Sequence, residues 1–256
     1  MEHAARVLLA KQVTDFLIRR HPEVAAVWIE GSTAKGEDRD HSDLEMGMAT
    51  RGESDVRSYQ CIFEGIVVEV EIKSQEDALR RASAVDVNWP MWADGYVHAL
   101  ATYDPEGLVP RLASLAQNPD PAKVSRALIS AFTGMYEDLC KIRNFAISGD
   151  EPLLRLMSMG FALYGVARFL GLLNRQYFNG IRNLLTRPRE FRSLPLHFWE
   201  DFARLLAAEG PAQELLQRAE RLHAECRGLL LASGNAFPEG PSIEQALEEG
   251  CHPRSG

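Results

Sequence analysis

The chain has 256 residues, 46% hydrophobic and 25% charged, which gives room for one large or two modest domains with real cores and excludes a disordered composition. A formal net charge of −8 argues against a broad nucleic-acid surface and suits a cationic ligand. The four cysteines, Cys61, Cys140, Cys226 and Cys251, lie far apart in neither a zinc nor a disulfide pattern, which points to a reducing cytoplasm.

The N-terminal residues carry charges that interrupt any apolar run, so they do not read as a signal peptide. Residues 4–20 have Leu9, Val13, Phe16 and Leu17 at helical spacing, with Pro22 after the stop. An apolar strand then runs from Val24 to Glu30 and ends at Gly31-Ser32. A polar loop leads to a second strand that carries Asp43 and Glu45 two residues apart. Side chains alternate along a strand, so these carboxylates share one face while Leu44, Met46 and Met48 take the other. Alone, the pair is also what a solvated strand face looks like. Two carboxylates on a rigid strand make oxygen ligands for a hard cation such as Mg²⁺. Gly31-Ser32 lets backbone amides and a hydroxyl approach a phosphate. Together they point to nucleotide chemistry.

An acidic, turn-rich stretch around Gly52–Asp55 separates this from a third strand, Gly65–Ile72. There Ile66, Val68, Val70 and Ile72 mark a buried face, and Glu69 and Glu71 fall opposite. Ser74 opens a helix over 75–85, Asn88-Trp89-Pro90 breaks it, and His98–Tyr103 reads as a strand. Asp104-Pro105 opens another helix. The linker is Gln117–Pro121. Residues 1–117 are therefore expected to form one domain and 118–234 a second, with 235–256 a partly ordered tail. Segments 122–147, 152–178, 196–208 and 211–232 are helical in period and predict a bundle. The expected fold class is α+β followed by this bundle. No internal repeat is evident, and no apolar stretch reads as long enough to span a bilayer.

The helix from Ala122 has a core stripe of Val124, Leu128, Met135, Leu139 and Ile142. Its opposite face aligns Arg126, Ser130, Thr133, Glu137, Lys141 and Asn144. Glu137 and Lys141 stand one turn apart, as an exposed ion pair or as a base and a phosphate-binding cation. The cluster Arg182, Arg187, Arg189 and Arg192 reads as a solvated loop between helices.

Gly31-Ser32 followed by Asp43-x-Glu45 resembles the signature of the nucleotidyltransferase superfamily typified by DNA polymerase β. Val68-Glu69-Val70, Asn88-Trp89-Pro90 and the run from Glu137 through Lys141-Ile142-Arg143-Asn144 follow in the order of the kanamycin nucleotidyltransferase family, whose members are aminoglycoside 4′-O-nucleotidyltransferases. The resemblance covers most of residues 25–175. It implies a polymerase β-like N-terminal domain and transfer of AMP from ATP to an aminoglycoside hydroxyl, with Mg²⁺ as cofactor and antibiotic resistance as the outcome. It implies Asp43, Glu45 and Glu69 as metal ligands, Glu137 as base and Lys141 on the phosphates. Gly31, Ser32, Lys35 and Ser42 complete the nucleotide site, and Glu69, Glu53, Asp94 and Glu137 hold the acceptor's amines. A cytoplasmic homodimer with shared active sites is implied, with no nucleic-acid or membrane partner. Lys35 replaces an arginine of the family, a point charge for a bidentate fork. Gln60 stands where the family has an acidic residue, with Glu64 and Glu53 as substitutes. Transfer to another acceptor (a different antibiotic, RNA or a protein hydroxyl) and a non-catalytic nucleotide-binding module are the other readings.

Overall fold

The structure, a computed structural model, describes residues 1–236 and residue 243. The described chain divides into two compact units. The first comprises Met1–Val124 together with Tyr177–Leu184, and the second Ser125–Gln176 and the residues from Leu185 onward. The expected boundary at residue 117 assumed one contiguous stretch per domain. The structure corrects it, because residues 177–184 belong with the first unit.

In the first unit, α1 (His3–Arg20) precedes β1 (Val24–Ile29), the short helix α2 (Gly31–Lys35) and β2 (Leu44–Thr50). Then come β3 (Ser58–Phe63), β4 (Ile66–Ser74), α3 (Gln75–Ala82), α4 (Trp89–Val97), β5 (Leu100–Tyr103) and α5 (Leu108–Gln117). The sheet order is β3-β4-β2-β1-β5; β2 and β4 are parallel and the other pairs antiparallel. Leu9 and Leu17 of α1 pack on one sheet face with Ile29, Met46, Val68 and Val70. Helices α3, α4 and α5 cover part of the other, where Trp28, Ala49, Ala78, Tyr96 and Leu112 are buried. Central strands covered on both faces lose clean alternation, and every residue of β1 is buried.

Sequence reading omits β3, an exposed edge strand, and α4, and it treats Gly31–Lys35 as loop. Ser74 caps α3 as expected, its hydroxyl accepting from the Asp77 amide at 3.0 Å. Asp104 likewise accepts from the Leu108 and Val109 amides at the start of α5.

The second unit is helical. The long helix α6 (Pro121–Ser148) begins in the last residues of the first unit and continues through the second. After it come α7 (Glu151–Gly160), a π-helical turn (Phe161–Val166), α8 (Ala167–Asn174), a 3₁₀ turn (Arg187–Glu190), α9 (Phe198–Ala207) and α10 (Ala212–Ala232). Val124, Leu128, Met135, Leu139 and Ile142 are all buried, as the stripe predicts. Fully buried Asp201 is held by Arg218 at 2.7 Å and Arg221 at 2.6 Å, which meets the cost of burying its charge. The helical run Glu151–Asn174, 24 residues, is long and apolar enough to cross a bilayer by length and composition, contrary to the sequence reading. More than half of its most apolar 18-residue stretch is buried inside the protein, where Phe161, Phe169 and Leu170 are core. The expected tail lies outside the described residues apart from its first two and residue 243.

Candidate functional site

The end of β1 meets the start of β2 at one edge of a cleft of about 420 Å³ within the first unit. The Glu30 amide donates to the Glu45 carbonyl at 2.8 Å, tying the two strand ends together. Gly31 then turns with φ +63°, and a Cβ there would overlap the Glu45 carboxylate, so both conformation and space call for glycine. Gly31, Ser32, Asp43 and Glu45 all line this cleft. The loop before Asp43 is pinned to α1 by the buried Arg6–Asp38 pair, and the Arg6 guanidinium also donates to the Arg39 carbonyl at 3.0 Å. Ser42 accepts the Arg39 amide at 2.9 Å and faces an adjoining cleft that also includes Asp43.

Parallel pairing of β2 and β4 puts Glu69 directly opposite Glu45, and Gln60 of β3 opposite Glu69 on the other side. Glu45 is exposed as a residue, yet its carboxylate packs against Gly31. Burial, then the charges of Asp43, Glu30 and Glu69, push its carboxyl up to about 7. The expected three-carboxylate metal set is less tight than the resemblance implies. Among the described residues no three His, Cys, Asp or Glu side chains are gathered closely enough to hold an ion. Glu69 stands one strand away and does not line the cleft.

Helix α4 forms the far wall. Trp89 is core, whereas Trp92 and Asp94 line the cleft. Lys35 donates to Asp94 at 2.6 Å, with both side chains largely buried, so two residues assigned separately to phosphate and acceptor are here each other's partners. Glu53 is exposed three residues past the far end of β2, roughly 20 Å of strand from Asp43. This corrects its assignment to the acceptor site. Glu71 is exposed and paired with Lys73. Glu64 forms the β3–β4 hairpin turn with Gly65.

Two contributions escape sequence reading. Glu30, treated there only as the end of a strand, is partly buried and lines the cleft; burial raises its pKa, and its Oε1 accepts the Trp28 indole N–H at 2.6 Å. The returning segment Tyr177–Leu184 brings Asn179 and Arg182 to the same cleft, so Arg182 is not simply a solvated loop residue. The Arg182 guanidinium donates to the Glu37 carbonyl at 2.8 Å and Asn179 to the Glu37 carboxylate at 2.9 Å. Neither could be found from a local motif, since no spacing links residue 37 to residue 182.

Glu137 and Lys141 lie on α6 in the second unit, and both are exposed. Lys141 bonds to Asp138 at 2.9 Å rather than to Glu137, and that bond holds its ammonium above the usual lysine range. The i,i+3 neighbour on the short aspartate has won over the expected i,i+4 contact.

Residues 106–235 match the model of the KNTase C-terminal domain family. Over 197 residues the chain is 24% identical to an aminoglycoside nucleotidyltransferase (4′) of a Bacillus species, covering 76% of this chain and 78% of the relative. It is 23% identical, with the same coverage, to one of Staphylococcus aureus. A nucleotidyltransferase-like protein from Exiguobacterium sibiricum superposes with a TM-score of 0.54 at 14% identity, covering 88% of this chain and 76% of that one. That last likeness is one of fold. With the family's model spanning half of its length, the chain belongs to the KNTase C-terminal domain family.

Proposed function

We propose that the protein is a nucleotidyltransferase that moves AMP from ATP to an aminoglycoside hydroxyl, the 4′-OH, releasing pyrophosphate and so conferring resistance. The observation that carries this reading is the meeting of the Gly31-Ser32 turn with Asp43 and Glu45 at one cleft in a chain of this family. The relatives' printed activity, aminoglycoside nucleotidyltransferase (4′), supports the acceptor class.

The donor set fits a hard divalent cation, because Glu45 is pushed up to about 7 by burial and by neighbouring carboxylates whose charge a cation would relieve. Asp43 and Glu45 would hold Mg²⁺, with Glu69 as a further oxygen donor. When bound, the ion supplies Lewis-acid polarisation of a phosphate oxygen and offsets developing charge. Ser32 and the amides of its turn bind phosphate oxygens, and Ser42 holds the loop beside them. Lys35 and Lys141 add positive charge, Lys35 after exchanging Asp94 for phosphate. Glu137 takes the acceptor hydroxyl's proton as the oxygen bonds to the α-phosphorus. The bond from the α-phosphorus to the bridging oxygen breaks, and its electron pair leaves with pyrophosphate. Asp94, which lines the cleft, orients an ammonium group of the acceptor. In this reading Glu137 and Lys141 act at the cleft of a partner copy in a homodimer.

The test is pyrophosphate release from ATP and Mg²⁺, with and without kanamycin or tobramycin, with the product read by mass. A gain of one AMP on the drug is expected. Asp43→Asn should lower the rate by on the order of 10²–10³-fold while leaving the circular dichroism spectrum intact. Substantial activity in that variant would remove Asp43 from the metal site. Tight Mg²⁺-dependent ATP binding without drug modification would overturn the acceptor.

A further inference from the structure

The cleft holds one charged group that the reaction above leaves unused. Glu30 sits immediately before Gly31, partly buried and bonded through Oε1 to the Trp28 indole N–H at 2.6 Å. Among the described residues no cation is bonded to it. Lys73 pairs with Glu71, Lys35 with Asp94 and Glu37, and Arg182 donates to the Glu37 carbonyl. The second oxygen, Oε2, points toward Gly95 of α4, where a Cβ would stand only 2.9 Å away. Glycine at position 95 lets α4 pack closely against this oxygen, which any side chain there would crowd, and both residues line the cleft.

A buried carboxylate without a cation is costly, and the cost falls when a cation arrives. Glu45 and Glu71 add negative potential around it, and against them stands the Lys73 ammonium, already paired with Glu71. The carboxylates outnumber it, which favours an ammonium over a phosphate or a neutral base. The backbone bond between Glu30 and Glu45 places any group held there beside the strand ends where transfer would occur. On the same wall Trp92 lines the cleft, its indole fixed by an N–H bond to Asp86 at 3.2 Å and by the Arg81 guanidinium 3.9 Å from its ring centroid.

We propose that Glu30 binds an ammonium group of the acceptor through Oε2. It is thereby a specificity-determining residue that selects amino sugars bearing an amine near the hydroxyl to be modified, and Gly95 is the residue that leaves its carboxylate uncrowded. This rests on the nucleotidyl-transfer reading and deepens it. The probes are neomycin B and paromomycin, which carry an amine and a hydroxyl respectively at the 6′ carbon, near the 4′-OH.

The wild type should favour neomycin B in KM by roughly 10–100-fold, the scale of a charge-assisted bond. Glu30→Gln, which keeps the volume and the acceptor for Trp28, should bring the ratio close to one by raising KM for neomycin B. Gly95→Ala, which sets a methyl group over Oε2, should move the ratio the same way and carries the test if Glu30→Gln folds poorly. A ratio unchanged in both variants, or a wild type that does not discriminate, overturns the proposal. Calorimetric titration of the two drugs without ATP separates this from failure of the transfer reading. Preferential binding of neomycin B that Glu30→Gln abolishes, with no transfer to either drug, keeps the ammonium site and removes the reaction. Equal binding of the two drugs removes the site.

Discussion

Burial, then the charges of Asp43, Glu30 and Glu69, push the Glu45 carboxyl up to about 7. The folded state thus holds the carboxyl's proton more tightly than the unfolded chain does. The stability it contributes is full below the ordinary glutamate range and is lost as pH rises through about 7. Thermal melts of the metal-free protein and of Glu45→Gln from pH 5 to 8 should therefore diverge. The wild type should lose stability relative to the variant as the pH rises, and parallel curves would show that Glu45 carries no strained charge. Among single residues, Gly31, Ser32, Asp43 and Glu45 were legible because a turn and a strand fix their relations within a short stretch. The Lys35–Asp94 pair and Arg182 were not, because their partners lie at the far end of tertiary contacts, and Glu30 was read only as the end of a strand.

Register decides what the carboxylates can do at the level of elements. The parallel pairing sets Glu45 opposite Glu69 and Gly47 opposite Glu71, while the residues between them face the α1 core. The strands of this pair were readable from alternation in the sequence. The edge strand β3 was not, since Ile62 and Phe63 are exposed and no buried face imposes a period. Helix α4 was missed because Pro90 reads as a breaker. It lies in the first turn, where its lack of an N–H costs nothing. Gly47 shows how tightly β1 and β2 depend on each other, since a Cβ there would overlap the Trp28 indole that bonds to Glu30. Gly47→Ala should cost about 1–3 kcal/mol in denaturant unfolding. It should also disturb the cleft through Trp28. A change below a few tenths of a kcal/mol would mean that the indole moves aside freely.

For the whole molecule, composition and helical period were enough to foresee an α+β part followed by helices, and the family match falls on the helical part and the end of the first. The place of residues 177–184 was not foreseeable, because it depends on a return of the chain that leaves no periodic trace. The proposed sharing of active sites belongs to this scale. Glu137→Gln should lower the rate far more than it weakens ATP binding. Mixing it with Asp43→Asn under conditions of subunit exchange should restore part of the activity, since one hybrid site in each dimer would carry both intact groups. No recovery after exchange has been verified by mass would place Glu137 and Asp43 in the same subunit's site, or Glu137 outside it.

The return of Tyr177–Leu184 also imposes an order of assembly. As the ribosome releases the chain, the sheet and both carboxylate-bearing strand ends are complete before the final wall of the cleft exists. Phe178, whose amide donates to the Pro90 carbonyl at 2.6 Å, and Tyr177, which meets Trp89 edge to face, arrive only after α6, α7 and α8 have been made. Until then the Trp89 end of α4 lacks its cover, and Glu37 lacks Asn179 and Arg182. The growing chain therefore carries an open acidic groove from the completion of β5 until residues 177–184 have been made.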